Sequence, residues 1–593
     1  MFESEQQAVE LIIKEFCRQN GLPVPGEISW MPIPFSGEWG ISTSFFQLAA
    51  DEAREKASQT GVRVLVPKRA QEIATGIAER LGRTPEFSRI EAVNGYLNLY
   101  FSAKEFSARV VDTILDQGAS YGHGVLKNER VMVEFSQPNT HKAFHVGHLR
   151  SAILGDTLSR ILEGAGFEVI RANYPGDIGL HVIKWLWNYL SFHSNEHPTG
   201  DITRWMGNLY AEATRRLEEN PEYEAAVRDL YVRWDHRDRD LVEAWQKTRQ
   251  WSLDGFNEIY NLLNIHFDIY YFNSQVEHSG KQVVDELIQK GIAEDERPQG
   301  PVIVKIDELL GYQKEKYRTL VILRSDNTAL YSTEDLALAI QKFTDYPDLC
   351  RSLYVVDVRQ SLHFQQVFKT LEIAGYPFAI KCQHIPYELV NLPGNVVMAS
   401  REGTVVLLDE FIQEATSRAK QIVQEKNPEL SDNQKQKVAR AVALGALRYS
   451  MLARDNTKTV TFDWEKALDF DGQAAPYVQY AHVRANSILR KMDEALPESS
   501  KPNHELHPSE VQLIDWISRL PGEVQRAAAE YKPLHLTNLG YEIARAFSDF
   551  YNQCPVLKAE PDTRRFRLRL VAATKQALSN VLNLLGIIAP DVM

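Results

Sequence analysis

The segment from Glu134 to Arg150, EFSQPNTHKAFHVGHLR, holds the most concentrated chemistry in the chain. His145 and His148 lie three residues apart around Gly147. Just upstream, VMVEF (131–135) is a short apolar run that Ser136-Gln137-Pro138-Asn139 breaks. Downstream, residues 147–163 have helical spacing and are closed by Gly164 and Gly166. The two histidines therefore fall where a strand ends and a helix begins. A helix N-terminus presents unpaired N–H groups and the positive end of its dipole, which suits phosphate. Gly147, without a Cβ, admits a flat base or ribose close to the backbone. Two imidazoles can then donate to charge developing on an α-phosphate. HxGH alone is a weak signal. The order of strand, Pro-Asn break, motif and helix makes it specific.

The elements that position this segment can be read outward from it. Strand, loop, helix and the strand FEVIRA (167–172) form a βαβ unit of a parallel sheet. A second such alternation is expected over 320–356, as strand VILR, helix 333–343 and strand LYVVD. Residues 190–300 between them are helical and densely charged. Trp185, Trp187, Trp205, Trp234, Trp245 and Trp251 lie in or just before that stretch, which reads as an insertion splitting one sheet. The first hundred residues form a small α+β module, with helices expected over 5–18 and 70–81. Residues 90–101 read as strand, turning at Asn94-Gly95. From about 430 onward nearly everything is helical. The fold expected is α/β: a doubly wound, parallel Rossmann-type catalytic sheet split by a helical insertion, with an α+β N-terminal domain and an α-helical bundle at the C-terminus. The boundaries expected are 1–105, 106–430 with the insertion at 190–300, and 431–593.

Composition narrows the setting. In 593 residues, 66 Lys and Arg stand against 79 Asp and Glu, a net charge of −13. No apolar run reaches the roughly 18 residues that a membrane span needs. The start, MFESEQQ, is acidic where a secretory leader is basic and then apolar. Cys17, Cys350, Cys382 and Cys554 are scattered without a CxxC pair, so neither a structural metal nor a disulfide framework is expected. A reduced, cytoplasmic protein with no membrane partner is implied. Taken whole, −13 argues against nucleic acid. Local sequence argues the other way: Tyr477, Tyr480 and His482 interleave with Arg484, Arg490 and Lys491. Such surfaces stack unpaired bases while meeting phosphates. A further cluster, RRFRLR (564–569), sets Arg565 and Arg569 on one helix face. The plainer alternative for both is a core aromatic face beside a solvated basic one.

PNTHKAFHVGHLRSAILGD (138–156) resembles the HIGH signature of class I aminoacyl-tRNA synthetases, and specifically that of the arginyl-tRNA synthetase family. The resemblance continues through VIRANYPGDIG (169–179), RSDNTALYSTEDLALA (324–339), FDGQAAPYVQYAHVRANSILRK (470–491) and LLGIIAPDVM. It implies an arginine–tRNA ligase: ATP-dependent activation of L-arginine to arginyl-adenylate, then transfer to the 3′-terminal ribose of tRNA(Arg), at its 2′-hydroxyl. AMP and pyrophosphate are released without a covalent enzyme intermediate. It also implies ATP with Mg2+ as the substrate complex, tRNA bound before activation, a monomer, and an N-terminal domain touching the outer corner of the tRNA.

The resemblance carries over by position. His145, His148 and Lys142 would be catalytic, with His145, Gly147, His148, Ser400, Arg401 and Gly403 binding ATP. Glu134, Asn139, Tyr331, Asp335 and Gln360 would hold arginine, whose planar guanidinium carries five donors that suit carboxylate, amide and phenol oxygens. Tyr477, Arg484 and Met593 would meet the anticodon of the tRNA. The second class I signature, a KMSKS-like loop, corresponds to VMASREGTVV (397–406), which lacks its lysines. Arg401, or Lys142 just upstream of HIGH, would supply the missing charge. Two rival readings stay open: a small-substrate nucleotidyltransferase, and a non-catalytic RNA-binding relative.

Overall fold

The computed structural model describes residues 3–33, 38–60, 64–84, 87–392, 396–397, 408–493, 495–499 and 501–593. Two compact units emerge. One gathers residues up to Tyr121 with Ala481–Leu520 and Glu542–Asn580. The other comprises Gly122–Tyr480, Pro521–Tyr541 and Val581–Met593.

The first unit opens with α1 (Glu3–Gln19), β1 (Met31–Pro32), β2 (Gly40–Ser44), α2 (Phe46–Thr60) and α3 (Val66–Leu81). β3 (Arg89–Val93), β4 (Tyr96–Tyr100) and α4 (Ala103–Gln117) follow. Its antiparallel sheet runs β1-β2-β4-β3, and Asn94 and Gly95, both at positive φ, make the β3–β4 turn. The α3 periodicity is as read, with Ala70, Ile73, Ala74, Ile77 and Leu81 buried. The helix starts a turn earlier than expected, with Pro67 in its first turn. Pro lacks the N–H that this turn would leave unpaired anyway.

In the second unit a parallel five-stranded sheet, β12-β11-β5-β6-β7, carries the site. β5 (Arg130–Glu134), α5 (Val146–Gly164) and β6 (Glu168–Asn173) form the expected βαβ unit. Next come α6 (Leu180–Asn188), α7 (Ile202–Glu219), α8 (Tyr223–Asp235) and α9 (Arg239–Leu262). Trp185, Trp187, Trp234 and Trp245 sit in a common core there, with Trp205 and Trp251 packed against it. β7 (Ile269–Tyr270), a strand of the parallel sheet, lies inside the stretch expected to be a helical insertion. α10 (Asn273–Gln289), β8 (Glu294–Asp295), β9 (Val302–Lys305), α11 (Ile306–Leu309), β10 (Thr319–Leu323) and α12 (Tyr331–Asp345) lead to β11 (Leu349–Asp357). α13 (Ser361–Ile373) and β12 (Cys382–Tyr387) complete the sheet.

One expectation is corrected here. The VILR strand does not begin a second parallel unit. β10 belongs instead to a separate antiparallel sheet, β10-β9-β8. Its burial shows why: Leu320, Ile322 and Leu323 are buried while Thr319 and Val321 are exposed. That one-faced alternation suits an antiparallel strand, whereas parallel strands are covered on both faces.

The remaining chain is mainly helical: α14 (Leu408–Lys426), α15 (Asp432–Leu452), α16 (Trp464–Ala467), α17 (Ala475–Arg490), α18 (Pro508–Ser518), α19 (Leu520–Glu530), α20 (Leu534–Gln553) and α21 (Pro561–Leu584). No helix among the described residues is long and apolar enough to cross a membrane.

Candidate active site

At the start of α5 the two histidines cap the helix. His145 is the N-cap, and its Nδ1 accepts the Gly147 N–H at 3.1 Å. The His145 N–H in turn points to Nδ1 of His148 at 3.4 Å. An imidazole that accepts at Nδ1 carries its proton on Nε2 when neutral. Both rings therefore offer an Nε2–H, and they stack at 3.9 Å with 20° between planes. Burial, reinforced by the Lys142 charge, holds His145 down at about 4. Burial, with His145 and Lys142 adding to it, puts His148 well below the ordinary range. The pair is uncharged at neutral pH. Lys142, the nearby cation, has its Nζ 4.8 Å from the Tyr210 ring.

Gly147 is needed for a reason the sequence did not supply. A Cβ there would lie 2.8 Å from Cε1 of His145, so the folded-back imidazole needs a residue without one. Ser400, Arg401 and Gly403, with the rest of the loop at 398–407, lie outside the described residues.

The residues expected to hold arginine occupy the carboxyl edge of the same sheet. Glu134 ends β5, and both its oxygens are engaged. Oε1 accepts from Gln137 Nε2 at 2.9 Å, while Oε2 meets the ammonium of Lys342. Side chains 342 and 134 are 0% and 3% exposed, and Lys342 Nζ sits 3.7 Å from the centre of the Tyr354 ring. Asn139 pairs with Gly176, where a Cβ would collide with Asn139 Oδ1 and lie 3.7 Å from Asn273 Oδ1.

Tyr331 opens α12 with its side chain largely in solvent, and Asp335 follows one turn later. Asp335 accepts from His363 Nε2 at 2.6 Å. Gln360 is exposed in the short turn after β11, three residues before His363. Asp177 is buried, accepting from the Ser274 N–H (2.9 Å), the Ser274 hydroxyl (2.6 Å) and Arg249 (2.9 Å). At the centre is Tyr174. Burial raises its phenol well above the ordinary value, and Asp335, Glu334, Glu134 and Asp177 each push it further. Four carboxylates thus act on one hydroxyl.

Sequence reasoning missed Tyr174, Asn273, Glu334, Lys342 and His363. Lys342 falls in the helix expected over 333–343 and drew no separate reading. One signal was available: three turns separate it from Tyr331 on the same helix, so it points to the same side.

Of the positions expected to meet tRNA, Tyr477 and Arg484 both lie on α17, and Met593 is the last residue. Tyr477 lies 5.5 Å from Tyr541, ring to ring, and Met593 is buried. Arg484 lies 4.9 Å from the Tyr551 ring, in a groove of about 260 Å³ lined also by Ile488, Lys491, Val556 and Lys558. The basic cluster at 564–569 divides: Arg565 is exposed, whereas Arg567 and Arg569 bond inside the protein. Arg567 bonds Glu510 at 2.8 Å, and the buried Arg569 bonds Asp112 and the Pro497 carbonyl. Arg569 therefore lies neither on a solvated basic face nor on one open to RNA.

Comparison with known proteins adds the following. Residues 110–464 match the family described as "tRNA synthetases class I (R), catalytic domain", and 478–593 match the "DALR anticodon binding domain". The chain is similar to the arginine–tRNA ligase of Bdellovibrio bacteriovorus, 34% identical over 88% of this chain and 89% of that one. It is 30% identical to that of Halothermothrix orenii over the full length of both. Among solved structures, Thermus thermophilus arginyl-tRNA synthetase superposes with a TM-score of 0.77 at 29% identity, covering 99% of this chain and 100% of that one.

Proposed function

The chain belongs to the class I arginyl-tRNA synthetases and has the activity of an arginine–tRNA ligase, and we propose the following roles for its residues in that reaction. Arginine and ATP lie over the carboxyl edge of the parallel sheet, with Mg2+ entering as part of the ATP substrate. The arginine carboxylate attacks the α-phosphorus, the bond to the β-phosphate breaks, and pyrophosphate leaves. The Nε2–H groups of His145 and His148 donate to the charge that develops on the α-phosphate. Lys142 meets the β- and γ-phosphates, with Ser400, Arg401 and Gly403 on the pyrophosphate side. No side chain becomes covalent, so catalysis is positioning plus electrostatic stabilisation. The 2′-hydroxyl of the terminal tRNA ribose then attacks the arginyl carbonyl, and AMP departs.

Tyr331 and Asp335 receive the guanidinium, while Glu134, Asn139 and Gln360 complete the arginine pocket. A substrate without the guanidinium's donors leaves these polar groups without that partner, which selects against it. Tyr477, Arg484 and Met593 contact the anticodon of tRNA(Arg). Residues 1–105 form the tRNA-touching N-terminal domain, 106–430 the catalytic domain with its 190–300 insertion, and 431–593 the anticodon-binding domain. The enzyme works as a cytoplasmic monomer.

The observation that carries this reading is the linkage of Glu334 through Asn273 to the Tyr174 hydroxyl, with Asp335 one residue on, beside a helix that presents two uncharged histidines. It is a pocket for a cation next to one for phosphate. Arginine-dependent ATP–pyrophosphate exchange, run with and without tRNA(Arg), tests it. Exchange only with tRNA present is expected. Exchange without tRNA favours the small-substrate nucleotidyltransferase, and none under either condition the non-catalytic relative.

A further inference from the structure

Resting on the arginine-pocket reading above, we propose that Glu334 is a further specificity-determining residue whose carboxylate meets the substrate guanidinium together with Asp335. The placement comes first. Tyr331, Glu334 and Asp335 are positions i, i+3 and i+4 of α12, so all three share one helix face. Glu334 is only 8% exposed, and its carboxyl accepts from the Asn273 amide. That amide also donates to the Tyr174 hydroxyl at 2.9 Å. Asn273 is the group next to Gly176 and Asn139 as well. Asn139 pairs with Gly176, a Cβ on Gly176 would lie 3.7 Å from Asn273 Oδ1, and Asn273 bonds Glu334, so these positions are neighbours at the proposed pocket.

The charges around Glu334 are unequally compensated. Asp335 has His363 at 2.6 Å, and Asp177 has Arg249 at 2.9 Å. Glu277 has Lys281 at 3.5 Å and Arg237 at 4.0 Å. Arg324 lowers the Tyr331 phenol and acts on Tyr231 and Asp326, and it is not among the groups that act on Glu334. Glu334 has no lysine, arginine or histidine paired with it among the described residues; its partner is a neutral amide. A buried carboxylate among other carboxylates must take up either a proton or a cation. Burial, with Asp335, Glu277 and Asp177 adding to it, brings Glu334 up to about 8 despite the Asn273 bond. In the empty pocket at pH 7 the site holds a proton. The guanidinium, cationic and rich in donors, replaces it, and the proton goes to solvent.

Two measurements test this. In aminoacylation at saturating ATP and tRNA, the KM for arginine in the parent enzyme should fall about eightfold between pH 7.0 and 8.5, the rise in the ionised fraction of a group titrating near 8. Glu334→Gln, which keeps the shape and the Asn273 bond, should raise KM at pH 8.5 at least tenfold. It should leave kcat within about twofold and abolish the pH trend. Calorimetry of arginine binding to the parent enzyme at pH 7.0, in buffers of different ionisation enthalpy, should show close to one proton released. A Glu334→Gln enzyme with the parent KM and trend would overturn the proposal, since a purely structural Glu334 would tolerate glutamine. So would zero proton release, a readout that survives even if the variant does not fold. Failure of the arginine reading itself would look different: no arginine-dependent charging in parent or variant.

Discussion

The two ends of the site are built by different means. The histidine pair of the phosphate end is made within four residues: His145 and His148 are set by backbone N–H groups of their own helix start. The arginine end needs side chains from β5, the segment after β6, α10, α12 and α13. One end therefore has uncharged donors fixed by local geometry. The other has carboxylates held by long-range partners. Damage to the first should remain a loss of rate, whereas damage to the second should also disturb folding.

The largest effect is expected from Lys342→Met. Removing the ammonium leaves the buried Glu134 carboxyl without its partner, and such losses cost about 3–5 kcal/mol. The urea midpoint should drop accordingly, and most of the loss should return in Lys342→Met combined with Glu134→Gln. An unchanged midpoint in the single variant would erase the contrast between the two ends. Next in size is His148→Ala. Losing one preformed donor to a developing oxyanion typically costs about 10²–10³ in rate. Adenylate formation should fall by that much in single-turnover assays, with the KM for arginine within about twofold and tRNA binding intact. A parallel rise in the arginine KM would mean that the two ends are not separable.

The same division explains what could be read in advance. The HxGH element was legible because its determinants are neighbours in sequence: an apolar strand, a Pro-Asn break, a glycine and a helix start. Even there one reason for Gly147 went unread, since a folded-back imidazole leaves no trace in residue order. The arginine end was legible only where family resemblance supplied positions. Periodicity cannot reveal that Lys342 turns inward to Glu134, 208 residues away. Nor can it show that Glu334, between a threonine and an aspartate on a helix start, is a carboxylate with no cation paired to it among the described residues. Strand VILR failed for a related reason: an apolar run does not record whether its partner lies parallel or antiparallel. Basic clusters misled in the other direction, because Arg567 and Arg569 are bonded inside the fold.

The subtlest test sets the two ends against each other through pH. His145 has a folded value of about 4, below the ordinary 6.5, because burial penalises its charged form. Between those values the unfolded chain binds a proton that the folded protein refuses, so stability falls as pH drops from 6.5 towards 4. Glu334 is shifted the opposite way, from 4.5 up to about 8. Here the folded state binds the extra proton, so its contribution is fully present below 4.5 and is lost as pH rises towards 8. Each group can tilt the curve by at most about 1.4 kcal/mol per pH unit within its window. Urea midpoints at pH 5.0, 6.0, 7.5 and 8.5, without arginine, separate them. His145→Gln should flatten the curve relative to the parent below pH 6.5 and leave the slope above it unchanged. Glu334→Gln should flatten the limb between 6.0 and 8.5. Saturating arginine should remove that second difference, because the guanidinium then stands where the proton stood. If arginine leaves it intact, the proton on Glu334 belongs to the fold and not to the substrate site.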